Sequence, residues 1–175
     1  MRLLGISGSL RKASRNTALL HEAARLFDPK SFELADIRMP LYDGDLEDSE
    51  GVPEIVHSLH AQIIAAGAVI IATPEYNYNL PGVLKNALDW VSRVKPKPFN
   101  DKPLAIMSAA GGTGVRGQYS LRHCLTSFNP RILQAPEVAI TKAGRAFDEN
   151  GRLVEAKDQD KLQALMDALK LAAGG

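Results

Sequence analysis

Five apolar segments with strand character alternate along the chain with five segments of helical periodicity. The predicted strands lie near residues 2–6, 32–37, 68–73, 104–109 and 132–140, and the predicted helices near residues 16–27, 53–66, 81–93, 115–127 and 156–172. Residues 68–73 read A-V-I-I-A-T, an unbroken apolar run that is typical of a strand covered on both faces. The alternation therefore predicts an α/β fold, with a five-stranded parallel sheet and right-handed crossovers that place helices on both faces.

Length and charge narrow the class of protein further. A chain of 175 residues suits a single domain, residues 1–175. Twenty-one Lys and Arg against 20 Asp and Glu give a formal charge of +1, so no global field favours nucleic acid or an anionic membrane. The longest apolar stretch, residues 63–72, is too short to span a bilayer. We expect no nucleic-acid or membrane partner.

The cysteine and histidine content indicates the cellular compartment and whether a metal site is expected. Cys124 is the single cysteine, which excludes an intrachain disulfide and suits a reducing cytoplasm. The four histidines are scattered, and no His/Cys cluster has the spacing of a metal site. We expect a cytoplasmic protein that holds no metal.

Three loops follow the first, third and fourth predicted strands. In a sheet of order 2-1-3-4-5 these strands are adjacent, and ligands bind at the carboxyl edge beside the point where the order reverses. We name the loops by their composition: the Ser/Arg loop is residues 7–17, the Tyr/Asn loop is residues 74–79, and the Gly loop is residues 108–114. The topology predicts that all three border one pocket.

The Ser/Arg loop has the chemistry of an anion site. It leads into the N-terminus of a predicted helix, where backbone N–H groups and the helix dipole favour a phosphate. Ser9, Ser14, Asn16 and Thr17 add neutral donors and Arg11 adds a charged one. The alternative is that Asn16 only caps the helix and the serines only form turns.

The other two loops suit a flat polar ligand. Gly112-Thr113-Gly114-Val115-Arg116-Gly117 matches a dinucleotide fingerprint, but too little chain follows it to complete a second nucleotide-binding half. These glycines more simply allow close approach of a ring, or form a tight turn. A phosphate site, an aromatic and amide loop and a glycine loop together favour flavin mononucleotide (FMN).

Two motifs also resemble a known family. G-S-L-R-K-x-S-x-N at residues 8–16 and P-E-Y-N-Y-N-x-P-G-x-L-K-N-A-x-D-W at residues 74–90 are similar to signatures of the NAD(P)H-dependent FMN reductases, the group that includes quinone and chromate reductases. The resemblance implies a flavodoxin-like three-layer sandwich. It also implies FMN as cofactor, NAD(P)H as co-substrate, a ping-pong hydride transfer to quinones, azo compounds or chromate, and a homodimer or homotetramer.

The resemblance further implies which residues contact FMN. The implied cofactor-binding residues are Ser9, Arg11, Ser14, Asn16, Thr17, Pro74, Glu75, Tyr76, Asn77, Ser108, Gly111 and Gly112. No catalytic acid, base or nucleophile is expected, because the flavin carries the reaction.

Some interpretations stay open at this level. The chain could instead be a flavodoxin-type electron carrier, although such carriers are usually strongly acidic, or a flavin-binding redox sensor without turnover. Residues 38–52, rich in Asp and Glu, are interpreted as a surface loop. Trp90 either faces the core or contacts a second subunit.

Overall fold

A parallel sheet forms the centre of the computed structural model, which describes residues 1–174. The strand order is β2-β1-β3-β4-β5, with β6 also paired to β4, and every pairing is parallel. The strands are β1 (Arg2–Ser7), β2 (Ser31–Leu34), β3 (Ala68–Ala72), β4 (Pro103–Ala109), β5 (Arg131–Ile132) and β6 (Val138–Ile140). The α-helices are α1 (Arg15–Phe27), α2 (Gly44–Glu50), α3 (Glu54–Ala65), α4 (Gly82–Val91), α5 (Val115–Leu125) and α6 (Ala156–Ala172).

Two apolar layers cover the two faces of the sheet. Helices α1 and α6 pack on one face, and α3, α4 and α5 pack on the other. Every residue of β3 and β4 is buried, as expected of central parallel strands. The predicted three-layer architecture and sheet order are confirmed, so the carboxyl ends of β1, β3 and β4 lie side by side.

The fifth predicted strand is wrong in one respect. Residues 132–140 do not form one strand; β5 pairs with the start of β4 and β6 pairs with its end. Pro136 lies between them and has no N–H to donate to a sheet. The chain therefore leaves the sheet between β5 and β6 and rejoins it.

The acidic segment, interpreted above as an irregular loop, contains the short helix α2. Asp43 caps it by accepting a hydrogen bond from the N–H of Asp45 at 3.0 Å. Glu47 accepts hydrogen bonds from the Arg93 guanidinium and from the Tyr42 hydroxyl, and these bonds, that of Arg93 foremost, lower the pKa of Glu47. Glu47 thus fastens α2 to Arg93, just after the end of α4, and α2 lies outside the cavities described below.

Trp90 settles one of the open interpretations. Its side chain is fully buried within the chain, its Nε1 donates to the carbonyl of Pro40 at 2.8 Å, and its ring meets the Tyr42 ring edge to face. A side chain with no exposed surface cannot contact a second subunit. The expectation that Trp90 carries such a contact is therefore wrong, and its role is to hold the segment after β2 against α4.

Candidate functional site

A cavity of about 220 Å³ opens at the carboxyl edge of the sheet. It lies where the loops after β1, β3 and β4 meet, as the sheet order predicts. Its lining consists of Ser9, Arg11, Ala13, Ser14, Arg15, Asn16, Pro74, Glu75, Tyr76, Ala109, Ala110, Gly111 and Ala143. We call it the first cavity.

The Ser/Arg loop is braced mostly by its own residues. Thr17 Oγ1 donates to Ser7 Oγ at 2.8 Å, and the Ser7 hydroxyl in turn donates to the Ser9 carbonyl at 3.3 Å. Ser14 is the N-cap of α1, and its Oγ accepts from the N–H of Thr17 at 3.2 Å. These contacts hold the loop in one shape from residues close together in the sequence.

The start of α1 offers unpaired donors to the first cavity. Within residues 1–174, the backbone N–H groups of Arg15 and Asn16 have no hydrogen-bond acceptor. They belong to the first turn of a 13-residue helix, whose dipole makes this end positive. The arrangement is that of an anion site.

The charges of the lining reinforce this electrostatic preference. Arg11 and Arg15 are exposed, and neither forms an ion pair within the described part of the chain. Arg15 donates to the carbonyl of Gly144 at 3.2 Å, which ties it to the rim. The single acidic side chain in the lining is Glu75, so cations exceed anions around the cavity.

Asn16 does not cap α1, as one sequence interpretation had it, because Ser14 is the N-cap and Asn16 lies inside the helix. Its side-chain amide donates to the carbonyl of Ala109 and accepts from the N–H of Ala109, both at 2.9 Å. This paired contact fixes the start of α1 to the end of β4. The backbone N–H of Asn16 stays available to a ligand.

The Tyr/Asn loop is a tight hairpin clamped by α5. Tyr76 and Asn79 exchange backbone hydrogen bonds at 3.0 Å, and the two corner residues, Asn77 and Tyr78, both have positive φ. Asn79 Oδ1 accepts from the hydroxyl of Ser120, a residue of α5. The Asn77 side chain is exposed at the corner and lies outside the lining.

Glu75 provides the second half of this clamp. Its Oε2 accepts hydrogen bonds from the N–H groups of Arg116 and Gly117 at 3.0 and 3.4 Å. These are first-turn donors of α5, whose own N-cap residue, Gly114, has no side chain to satisfy them. Glu75 therefore caps α5 from a different loop.

Two glycines near the Gly loop serve packing within the protein. A Cβ on Gly117 would lie 2.9 Å from the carbonyl oxygen of Pro74, so only glycine lets α5 approach the Tyr/Asn loop this closely. A Cβ on Gly114 would lie 2.8 Å from Ser108 Oγ, and its φ of +68° also favours glycine. Gly111 differs, because it faces open space and lines the cavity.

The structure brings eight of the twelve predicted residues to the cavity wall. They are Ser9, Arg11, Ser14, Asn16, Pro74, Glu75, Tyr76 and Gly111. Among the other four, Thr17 braces Ser7, Asn77 forms the hairpin corner, Gly112 lies outside the lining, and Ser108 is fully buried and accepts from Gln118 Nε2 at 2.8 Å.

Sequence reasoning missed five lining residues. They are Ala13, Arg15, Ala109, Ala110 and Ala143. The alanines carry no chemical signal, and Ala143 comes from the connection after β6, which no motif marks. Arg15 carried a usable signal, since it is a cation inside the Ser/Arg loop.

The residues of this cavity fit FMN. Helix N–H donors, hydroxyl groups and two guanidinium groups suit a phosphate monoester. Pro74, Tyr76 and the open Cβ position of Gly111 provide the flat, uncrowded walls that a ring needs. Glu75, the one carboxylate, already has two N–H partners, which reduces its repulsion of a bound anion.

Comparison with known proteins also supports FMN as the ligand. The family model described as NADPH-dependent FMN reductase matches residues 1–145. The chain is 47% identical to an NAD(P)H-dependent FMN reductase of Pseudomonas aeruginosa, over 98% of this chain and 94% of the relative. It is 40% identical to a quinone reductase of Escherichia coli, over 78% of this chain and 76% of that one.

A solved structure shares the whole architecture. The flavoenzyme NAD(P)H:(acceptor) oxidoreductase FerB from Paracoccus denitrificans superposes with a TM-score of 0.88 at 30% identity, covering 99% of this chain and 97% of that one. In residues 1–174, no helix is both long enough and apolar enough to cross a membrane.

Proposed function

The chain belongs to the NADPH-dependent FMN reductase family, and from this premise we propose that it reduces quinones with electrons from NAD(P)H, using FMN held in the first cavity. It is an oxidoreductase, with FMN as its cofactor and NAD(P)H as its reductant. The observation that carries the assignment is the cationic cavity at the meeting point of the loops after β1, β3 and β4. The quinone acceptor is supported by the name of the Escherichia coli relative.

Each part of the lining has a role toward FMN. The N–H groups of Arg15 and Asn16, with the hydroxyl of Ser9, would bind the phosphate, and Arg11 would neutralise it. Pro74, Tyr76 and Gly111 would border the ring. Ser14, Thr17 and Ser108 would act indirectly, since their side chains brace the loops.

The chain needs little chemistry of its own. FMN, when bound, supplies the hydride-accepting and hydride-donating chemistry. The protein's task is to bind, to orient and to exclude competing ligands, which fits a lining without a free acid, base or nucleophile pair. We propose that NAD(P)H and the acceptor approach the bound flavin in turn, in a ping-pong cycle that also admits azo compounds and chromate.

Several broader expectations belong to the same proposal. We propose that residues 1–175 act as one FMN-binding domain in the cytoplasm, because a single half-buried Cys124 suits a reducing compartment. We also propose a homodimer or homotetramer. Exposed apolar and aromatic side chains support association, among them Leu41, Tyr78 and Tyr119 at 82%, 71% and 57% exposure.

Absorbance and turnover test the function together. The purified protein should show a flavin spectrum, release FMN on denaturation and oxidise NAD(P)H rapidly when a quinone is added. Initial rates are plotted double-reciprocally against NAD(P)H concentration at several quinone concentrations. Parallel lines would support the ping-pong cycle, and intersecting lines would exclude it. A stable one-electron-reduced flavin without fast quinone turnover would indicate an electron carrier, and bound flavin with neither behaviour would indicate a sensor.

A further inference from the structure

A second cavity of about 200 Å³ lies on the other side of the Ser/Arg loop, beside the segment that follows β2. Its lining is Ser7, Ser9, Leu10, Arg11, Lys12, Thr17, Leu34, Ala35, Asp36, Ile37 and Arg38. Ser9 and Arg11 line both cavities, so the two are neighbours that share a wall. The assignment of FMN to the first cavity leaves the second without a role.

Positive charge dominates the second cavity. Three cations, Arg11, Lys12 and Arg38, face one carboxylate, that of Asp36. Asp36 Oδ1 accepts from the Arg38 guanidinium at 3.1 Å, so this pair neutralises itself. Lys12 has no ion-pair partner within residues 1–174, which leaves its ammonium group available to an anion.

The rest of the wall combines the hydroxyl residues Ser7, Ser9 and Thr17 with an apolar side that is partly uncovered. Leu10 and Leu34 are 37% and 38% exposed, and Ala35 and Ile37 complete the apolar side. Arg38 also donates to the carbonyl of Leu10 at 3.4 Å, which places Leu10 beside the cations. An apolar shelf next to a free ammonium suits a ligand with both a flat base and a phosphate.

We infer that the second cavity binds the adenosine end of the dinucleotide reductant, and that Lys12 recognises the extra 2′-phosphate that distinguishes NADPH from NADH. This inference rests on the proposed function. Because the two cavities share a wall, one dinucleotide bound at the adenosine site would reach the flavin held in the first cavity. Leu10 and Leu34 contact the adenine, and the Asp36–Arg38 pair holds the segment after β2 in place.

Binding of fragments tests this site without turnover. Calorimetric titration of the FMN-loaded protein with adenosine 2′,5′-bisphosphate and with AMP should give tighter binding of the bisphosphate. In Lys12→Gln the ratio of the bisphosphate affinity to the AMP affinity should fall by about tenfold, which corresponds to the loss of one charge-assisted hydrogen bond. Lys157→Gln removes an exposed charge on α6, far along the chain from this cavity, and should change nothing.

Steady-state kinetics gives the complementary readout. Lys12→Gln should raise the KM for NADPH by about tenfold, and leave kcat, FMN content and the KM for NADH near their wild-type values. An equal rise for both dinucleotides, no rise for either, or equal binding of the bisphosphate and AMP by the wild type would overturn the inference. Inorganic phosphate that competes as well as the bisphosphate would also overturn it, because the site would then hold phosphate alone. Absence of NAD(P)H oxidation by the wild type would instead contradict the proposed function, and the fragment titration would still decide the inference.

Discussion

The Ser/Arg loop and the Tyr/Asn loop border the same cavity but are held by different kinds of contact. The hydroxyl groups of the Ser/Arg loop form hydrogen bonds between residues two to ten positions apart, such as Ser7 to Ser9 and Thr17 to Ser7, while Asn16 ties the end of the loop to Ala109 of β4. The side-chain bonds that clamp the Tyr/Asn loop to α5 join residues about forty positions apart, such as Glu75 to Arg116 and Asn79 to Ser120.

This difference assigns different functions to the two loops: the Ser/Arg loop binds the phosphate, and the Tyr/Asn loop borders the flavin ring. The phosphate donors of the Ser/Arg loop are held by bonds within the loop and by the Asn16–Ala109 pair, none of which involves α5. The Tyr/Asn loop keeps its place only while α5 stays packed against it. We therefore expect variants of the Ser/Arg loop to affect FMN but not riboflavin, which lacks the phosphate, and variants of the α5 clamp to affect both flavins.

The largest effect is expected for Arg11→Ala. Loss of a charge-assisted hydrogen bond should weaken FMN binding by about 1.5–3 kcal/mol, and riboflavin binding should not change. Fluorescence titration of the apo-protein with each flavin measures both affinities. Arg152→Ala, which removes an exposed arginine that is not part of the cavity lining, is the control. An equal loss for riboflavin would remove Arg11 from the phosphate site.

Gly117→Ala tests the contact between α5 and the Tyr/Asn loop. The new Cβ would lie 2.9 Å from the Pro74 carbonyl and must push α5 away from the Tyr/Asn loop. We expect a loss of about 1–3 kcal/mol in the free energy of unfolding and weaker binding of both flavins. Chemical denaturation and flavin titration measure this. Gly44→Ala, where a Cβ meets open space, should be close to neutral.

Glu75→Ala should have a smaller effect of the same kind. It leaves the first-turn N–H groups of Arg116 and Gly117 without their acceptor, at a cost of about 0.5–2 kcal/mol in stability. Glu75→Gln keeps an acceptor oxygen and should restore most of that stability. If the two variants unfold at the same denaturant concentration, capping by Glu75 is not a significant interaction.

Ser120→Ala tests the other end of the clamp and should have the smallest effect. The hydroxyl donates to Asn79 Oδ1 and accepts from the N–H of Leu80 at 2.9 Å. Its removal should lower the unfolding free energy by about 0.5–1.5 kcal/mol and slightly weaken both flavins. Ser58→Ala, at an exposed position of α3, is the matched control. A change confined to FMN would contradict the division between the loops.

The same distinction explains what the sequence could predict. Strand and helix order, sheet order and the Ser/Arg loop depend on periodicity and on residues near one another, and they were predicted. The clamp depends on α5 reaching a loop forty residues away, so no local pattern marks Glu75 as a helix cap. The same holds for Trp90, whose burial depends on Pro40, fifty positions away.

Two wrong predictions, the fifth strand and the irregular acidic loop, could have been corrected from local sequence signals. Pro136 lies inside the fifth predicted strand and marks where the chain leaves the sheet. Asp43 followed by acidic residues is a helix N-terminus signal, and it begins α2. The alanines that line the cavity differ from these two cases. No sequence pattern marks them, and they line the cavity only because the folded chain brings them to it.

A crystal structure of the FMN-loaded protein would show directly whether the first cavity holds the flavin. We expect the flavin phosphate within hydrogen-bonding distance of the N–H groups of Arg15 and Asn16, and the ring beside Pro74 and Gly111. A phosphate in the second cavity, or a ring that does not contact the Tyr/Asn loop, would contradict this expectation.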